Sequence, residues 1–167
     1  MVFNAKMNLA QLLDLETKDG VKMRKNLLKM TRDDKNIEYL DQIYYTLAQM
    51  DIIQKDTLSA IDNYYLSTKN SINNNIQKGI SFHSLAKIRH NQNNFKTAET
   101  LYDSTLQYIK EEYIEYDEIK QTHTILKELI TNLNIISLED SLQNLASLPL
   151  NELQEKINQI IRSEKEK

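Results

Sequence analysis

The chain has 167 residues, with two glycines, one proline, no cysteine and no tryptophan. Average usage would supply roughly 12 Gly and 8 Pro at this length, so strand-rich sandwiches and barrels, which need many Gly/Pro turns, are disfavoured and long uninterrupted helices are expected. The lack of cysteine excludes disulfides, thiolate metal sites and a cysteine nucleophile, while a net charge of −3 gives no electrostatic footprint for nucleic acid.

In chain order, Phe3, Met7, Ala10 and Leu13 recur at helical spacing from the start, with no basic segment leading into an apolar one. This is the pattern expected of a piece cut from a longer protein, with helices over about 2–15 and 20–31 parted by Thr17-Lys18-Asp19-Gly20. Lys22, Arg24, Lys25, Lys29 and Arg32 then form a local basic run, read as one exposed helix face.

Repetition follows. Tyr44-Tyr45-Thr46-Leu47-Ala48 matches Phe82-His83-Ser84-Leu85-Ala86 at an offset of 38 residues. The same offset carries Thr57 onto Phe95, Ala60 onto Ala98, Tyr64 onto Tyr102 and Ser67-Thr68 onto Thr105-Leu106. An aromatic, Leu and a small residue on one helix, then Ala and an aromatic on the next, are the core positions of a tetratricopeptide repeat. The predicted helix pairs cover about 38–53 with 56–70, and 77–90 with 94–110. Asn91-Gln92-Asn93-Asn94 breaks the second pair, and Asn70 to Asn75 links the two.

Beyond the repeats, Ile119, His123, Leu126, Ile130 and Leu133 share one helical face, His123 reading as a partly buried core residue with a hydrogen-bond partner. Ser137 with Asp140 reads as a new helix start. Leu138, Leu142 and Leu145 follow, Pro149 ends that helix, and Asn151 caps a last one carrying Leu153, Ile157, Ile160 and Ile161. The expected organisation is an all-α tetratricopeptide-like solenoid: repeats over 1–112, C-terminal helices over 113–148, and a final helix with a polar tail over 149–167. The helices around Leu142 and Ile157 are expected to pack as its cap.

Three stretches carry a family resemblance. Asp41-Gln42-Ile43-Tyr44-Tyr45-Thr46-Leu47-Ala48, Ala98-Glu99-Thr100-Leu101-Tyr102-Asp103-Ser104-Thr105-Leu106, and above all Leu138-Glu139-Asp140-Ser141-Leu142-Gln143-Asn144-Leu145-Ala146 resemble the tetratricopeptide-repeat lipoproteins of type IX secretion and gliding motility, the SprE/PorW family. The resemblance runs from about Tyr39 to Ile161. It implies a repeat segment of an outer-membrane lipoprotein facing the periplasm, whose partners are other components of the secretion and motility machinery. The lipid-bearing cysteine and export signal of the complete family member are not in this sequence.

Chemistry is sparse. His83 and His90 stand seven residues apart with Lys87 between them, without the i, i+4 ligand spacing of a helical zinc motif. There is no glycine-rich phosphate loop and no Gly-x-Ser-x-Gly elbow. Glu111, Glu112, Glu115, Asp117 and Glu118 read as a solvated helix end. No catalytic residue, metal or cofactor is therefore expected, and no contact with nucleic acid or membrane.

What remains is a groove lined by the first helix of each pair. Its expected residues are Asn4, Met7 and Gln11, then Gln42, Tyr45 and Gln49, then His83, Lys87 and His90. Amide, aromatic and cationic side chains of this kind hydrogen-bond and stack against a peptide. The expected function is a non-catalytic protein–protein interaction scaffold. The rivals are a cytoplasmic peptide-sensing regulator of the same fold and a small metal-binding protein or enzyme. The uncovered Val2, Phe3, Met7 and Leu9 further suggest a homodimer through the N-terminal end.

Overall fold

The computed structural model describes residues 17–165. The expected first helix, the groove positions Asn4, Met7 and Gln11, and the proposed dimer end at Phe3 lie outside the described residues. Seven helices follow in order: α1 (Lys18–Met30), α2 (Leu40–Ile53), α3 (Thr57–Asn70), α4 (Asn75–Asn91), α5 (Phe95–Tyr108), α6 (Tyr116–Ala146) and α7 (Leu150–Lys165), with a 3₁₀ segment at Asp34–Tyr39 before α2. No strand occurs among the described residues. The chain divides into two compact units, one ending at Leu126 and the other beginning at Lys127.

In the first unit the polar links act as caps. Thr17, Asp56, Asn74 and Asn94 each accept a hydrogen bond from the backbone N–H three residues on, through their side-chain oxygens. Each satisfies one of the orphan donors of a helix start, so the Asn-rich links both break one helix and begin the next.

The sequence offset is reproduced as geometry. The turn between α2 and α3 uses Gln54 N→Met50 O, Lys55 N→Ile52 O and Asp56 N→Asp51 O. The turn between α4 and α5 uses Gln92 N→Ile88 O, Asn93 N→His90 O and Asn94 N→Arg89 O. Both turns pivot on a left-handed residue, Lys55 at φ 60° and Asn93 at φ 57°. Asparagine tolerates that region, whereas for lysine it costs roughly 1–2 kcal/mol. Lys55→Gly is therefore expected to stabilise the protein by about 0.5–1 kcal/mol, read as a rise of a few degrees in melting temperature. Asn93→Gly should change it much less.

Packing repeats as well. Leu47, Ala48, Ala60, Tyr64 and Ser67 are all buried, and so are Leu85, Ala86, Ala98, Tyr102 and Thr105, their counterparts 38 residues on. The alanines let paired helices approach closely, and the tyrosines fill the space between them. Helix α1 completes this core by laying Leu27, Met23 and Met30 against Ile43, Leu47 and Met50.

One matched site is solved in two ways. Asp41 and Gly79 stand 38 residues apart, as do Ser71 and Ile109. In the first pair a hydroxyl, Ser71 Oγ, donates to Asp41 Oδ2 at 3.3 Å. In the second, the bulk lies on the other side. A Cβ added to Gly79 would stand 2.5 Å from Ile109 Cγ2 and 3.3 Å from Ile109 N and Tyr108 Cβ.

The C-terminal elements correct two expectations. Ser137 starts no helix, because α6 runs unbroken from Tyr116 to Ala146 and Ser141 Oγ donates to the Ser137 carbonyl. Asn151 is no cap either. Helix α7 begins at Leu150, and the first backbone bond there runs from Leu153 N to Pro149 O. Within the second unit no described side chain is buried. Leu142 and Ile157, expected beneath a capping face, are 50% and 38% exposed.

Candidate partner-binding groove

The expected groove positions among the described residues lie on α2 and α4. Tyr45 and Gln49 lie one turn apart on α2, and His83 and Lys87 one turn apart on α4. The aromatic pairing inside each helix pair repeats. Tyr45 meets Tyr64 with ring centroids 5.4 Å apart, and His83 meets Tyr102 at 5.9 Å. Tyr45 and His83 thus occupy matched positions and differ in chemistry, one a phenol and the other an imidazole.

A further residue, read from sequence as part of a solvated helix end, joins them. Glu115, in the link between α5 and α6, places Oε2 3.6 Å from His83 Nδ1 and Oε1 3.8 Å from Lys87 Nζ. Tyr113 of the same link donates its hydroxyl to Glu115 Oε2 at 3.2 Å. The expected solvated acidic run is therefore divided. Glu111, Glu112, Asp117 and Glu118 are exposed, whereas Glu115 is half-buried over the groove. Net charge along a run does not reveal which of its members turns inward.

Electrostatics follow the enclosure. Burial raises the Tyr45 phenol above its ordinary value, the Ser84 hydroxyl opposing and Glu115 adding to the rise. Burial, reinforced by Tyr45, pushes Tyr64 up to about 12. Tyr113 is also pushed up to about 12, by burial and by the Glu115 carboxylate. His83 moves the other way: burial lowers it from 6.5, Lys87 lowers it further, and Glu115 and Glu118 oppose.

A histidine that the fold prefers neutral is protonated more readily in the unfolded chain, so acid favours unfolding. Its stabilising contribution is present above pH 6.5 and is lost as pH falls from there through the depressed folded value. Thermal melts should accordingly decline as pH is lowered below about 6.5, ahead of the carboxylate range near 4. His83→Gln should flatten that part of the decline.

Of the remaining expected residues, Gln49 stays with the cluster through a side-chain hydrogen bond to Tyr45. His90 is half-buried against Phe95 and Tyr102, at 5.7 and 6.3 Å between ring centroids. These ring contacts fall within the α4–α5 pair. Gln49 lines a shallow cavity of about 300 Å³ with Ile52, Ile53 and Tyr64. Gln42 is half-buried, and its backbone carbonyl accepts from Thr46 Oγ1. His123 is half-buried, with Nε2 3.3 Å from Glu99 Oε1 and 3.8 Å from Asp103 Oδ1, so α6 is tied to α5 through the partner expected of it.

The basic run is also divided. Lys22, Lys25, Lys29 and Arg32 face solvent, while Arg24 turns inward to Asp51, 2.6 Å away. Among the described residues no three His, Asp or Glu side chains are placed to share a metal ion. None of the described helices is long and apolar enough to cross a membrane. No protein-family model matches the chain, and no curated protein sequence matches it.

Proposed function

We propose that this chain is a non-catalytic scaffold whose paired helices act as tetratricopeptide-like repeats and whose α2–α4 groove engages another protein. The observation that carries this reading is the 38-residue duplication of turn, core and aromatic pairing, which brings Tyr45 and His83 to matched places on adjacent helix pairs. Stacked helix pairs of this kind present an elongated recognition surface. The groove offers phenol, imidazole and ammonium groups suited to hydrogen bonding and ion pairing.

On the resemblance of Asp41–Ala48, Ala98–Leu106 and Leu138–Ala146, the parent protein is an outer-membrane lipoprotein of type IX secretion or gliding motility. Its repeat segment then faces the periplasm and contacts other components of that machinery. The gene's complete reading frame tests this assignment. An export signal ending in a lipidated cysteine is expected, and a reading frame without one overturns it. For the groove, Lys87→Glu in the parent protein should abolish partner capture while leaving the melting temperature within about 2 °C, because Lys87 is exposed.

A further inference from the structure

Resting on the groove reading, we infer that the His83–Lys87 end of the groove is a carboxylate-recognition site for an acidic peptide, and that Glu115 is its internal occupant. Three polar groups converge on this one carboxylate: the Tyr113 hydroxyl, which donates at 3.2 Å, His83 Nδ1 at 3.6 Å and Lys87 Nζ at 3.8 Å. Glu115 is carried by a short link rather than by a helix. Two turns, closed by Tyr113 N→Lys110 O and Tyr116 N→Tyr113 O, deliver it to the groove. Ile114 between the two anchors is 99% exposed, so this part of the link meets His83 and Lys87 through Tyr113 and Glu115 rather than through Ile114.

These contacts are built to yield. The separations to His83 and Lys87 exceed direct hydrogen-bond lengths, and both Lys87 and Glu115 keep contact with water, at 54% and 41% side-chain exposure. Exposed pairs of this kind are weak. Glu115 nevertheless has the advantage of being tethered, which gives it a high effective concentration against any free competitor. An incoming acidic segment gains the Lys87 ammonium and the neighbouring imidazole and phenol by displacing it, so the link sets a threshold on binding.

The test uses the 167-residue chain and a fluorescein-labelled peptide of the link's own sequence, Glu-Glu-Tyr-Ile-Glu-Tyr-Asp-Glu, followed by anisotropy at low ionic strength. Glu115→Gln is expected to bind at least about five-fold more tightly than the unaltered protein. Glu112→Gln, in the same link and exposed, should leave affinity unchanged. Adding Lys87→Glu to Glu115→Gln should remove the gain, and a peptide with its central glutamate replaced by glutamine should not bind. Circular dichroism confirms that each variant is folded. Equal, Lys87-dependent binding by the unaltered protein and Glu115→Gln overturns the internal occupant while leaving the groove reading intact. Absence of binding by every variant overturns the carboxylate site itself.

Discussion

Asp51→Ala is expected to lower stability by about 3 kcal/mol and the melting temperature by roughly 10 °C. Asp51 is fully buried on α2 and serves two neighbours at once. Its Oδ1 lies 2.6 Å from an Arg24 guanidinium nitrogen of α1, and its Oδ2 accepts from Asn63 Nδ2 of α3 at 2.7 Å. Removing the carboxylate leaves the Arg24 guanidinium without its counter-ion and Asn63 Nδ2 without its acceptor. Arg24, at 28% side-chain exposure, can still reach water, which keeps the cost near the lower end for a broken buried pair. Arg24→Ala leaves a buried carboxylate with only the Asn63 amide beside it and should cost at least as much. The double substitution should cost less than the two single losses added together, the mark of a direct interaction. A loss below about 0.5 kcal/mol for Asp51→Ala in denaturant unfolding would show that the pair does not hold α1 to α2. The Lys87–Glu115 pair, half exposed on both sides, contributes well under 1 kcal/mol by the same reasoning.

Gly79→Ala is expected to destabilise, against the usual sign. In a helix interior this change ordinarily gains about 0.5–1 kcal/mol. Here the new Cβ would meet the stiff, buried Ile109 side chain and the backbone behind it, so α4 and the end of α5 must move apart. Overpacking of this order costs about 1–3 kcal/mol, leaving a net loss of about 1–2 kcal/mol. The sibling site shows the remedy, since there the side chain at the glycine position faces Ser71 rather than isoleucine. Ile109→Ser combined with Gly79→Ala should therefore cost at least about 1 kcal/mol less than the sum of the two single losses. Additive losses in urea unfolding would contradict the clash.

Much of this architecture was legible in the sequence because it rests on local signals. The paired Leu-Ala motifs, the alanines and the tyrosines marked the two hairpins, and the predicted boundaries fall within a few residues of those observed. Two failures were also local. Ser137 with Asp140 resembles a cap, yet nothing between Tyr116 and Ala146 is glycine or proline, so a helix once begun propagates through it. Asn151 resembles a cap, yet Pro149 already supplies the first carbonyl of α7.

The other misses depend on which charged residue turns inward, and spacing does not encode that. Arg24 leaves an otherwise solvated basic face because Asp51 waits on another helix. Glu115 leaves an acidic run because the link's turns aim it at His83 and Lys87. Core positions repeat with the helix period, whereas a polar residue's role is set by the partner that tertiary packing brings to it.

The central claim is that this chain recognises another protein through the groove formed by α2 and α4. Its most direct test is a photo-cross-linking amino acid placed in the protein within its own cells, at Asn91, exposed one turn beyond Lys87 on α4, in one strain and at Leu58, exposed on α3, in another. The groove position should yield one discrete partner band that Glu115→Gln strengthens and that the Leu58 position lacks. Equal cross-linking from both positions, or none from Asn91 while the protein is folded and present at normal levels, would contradict the claim.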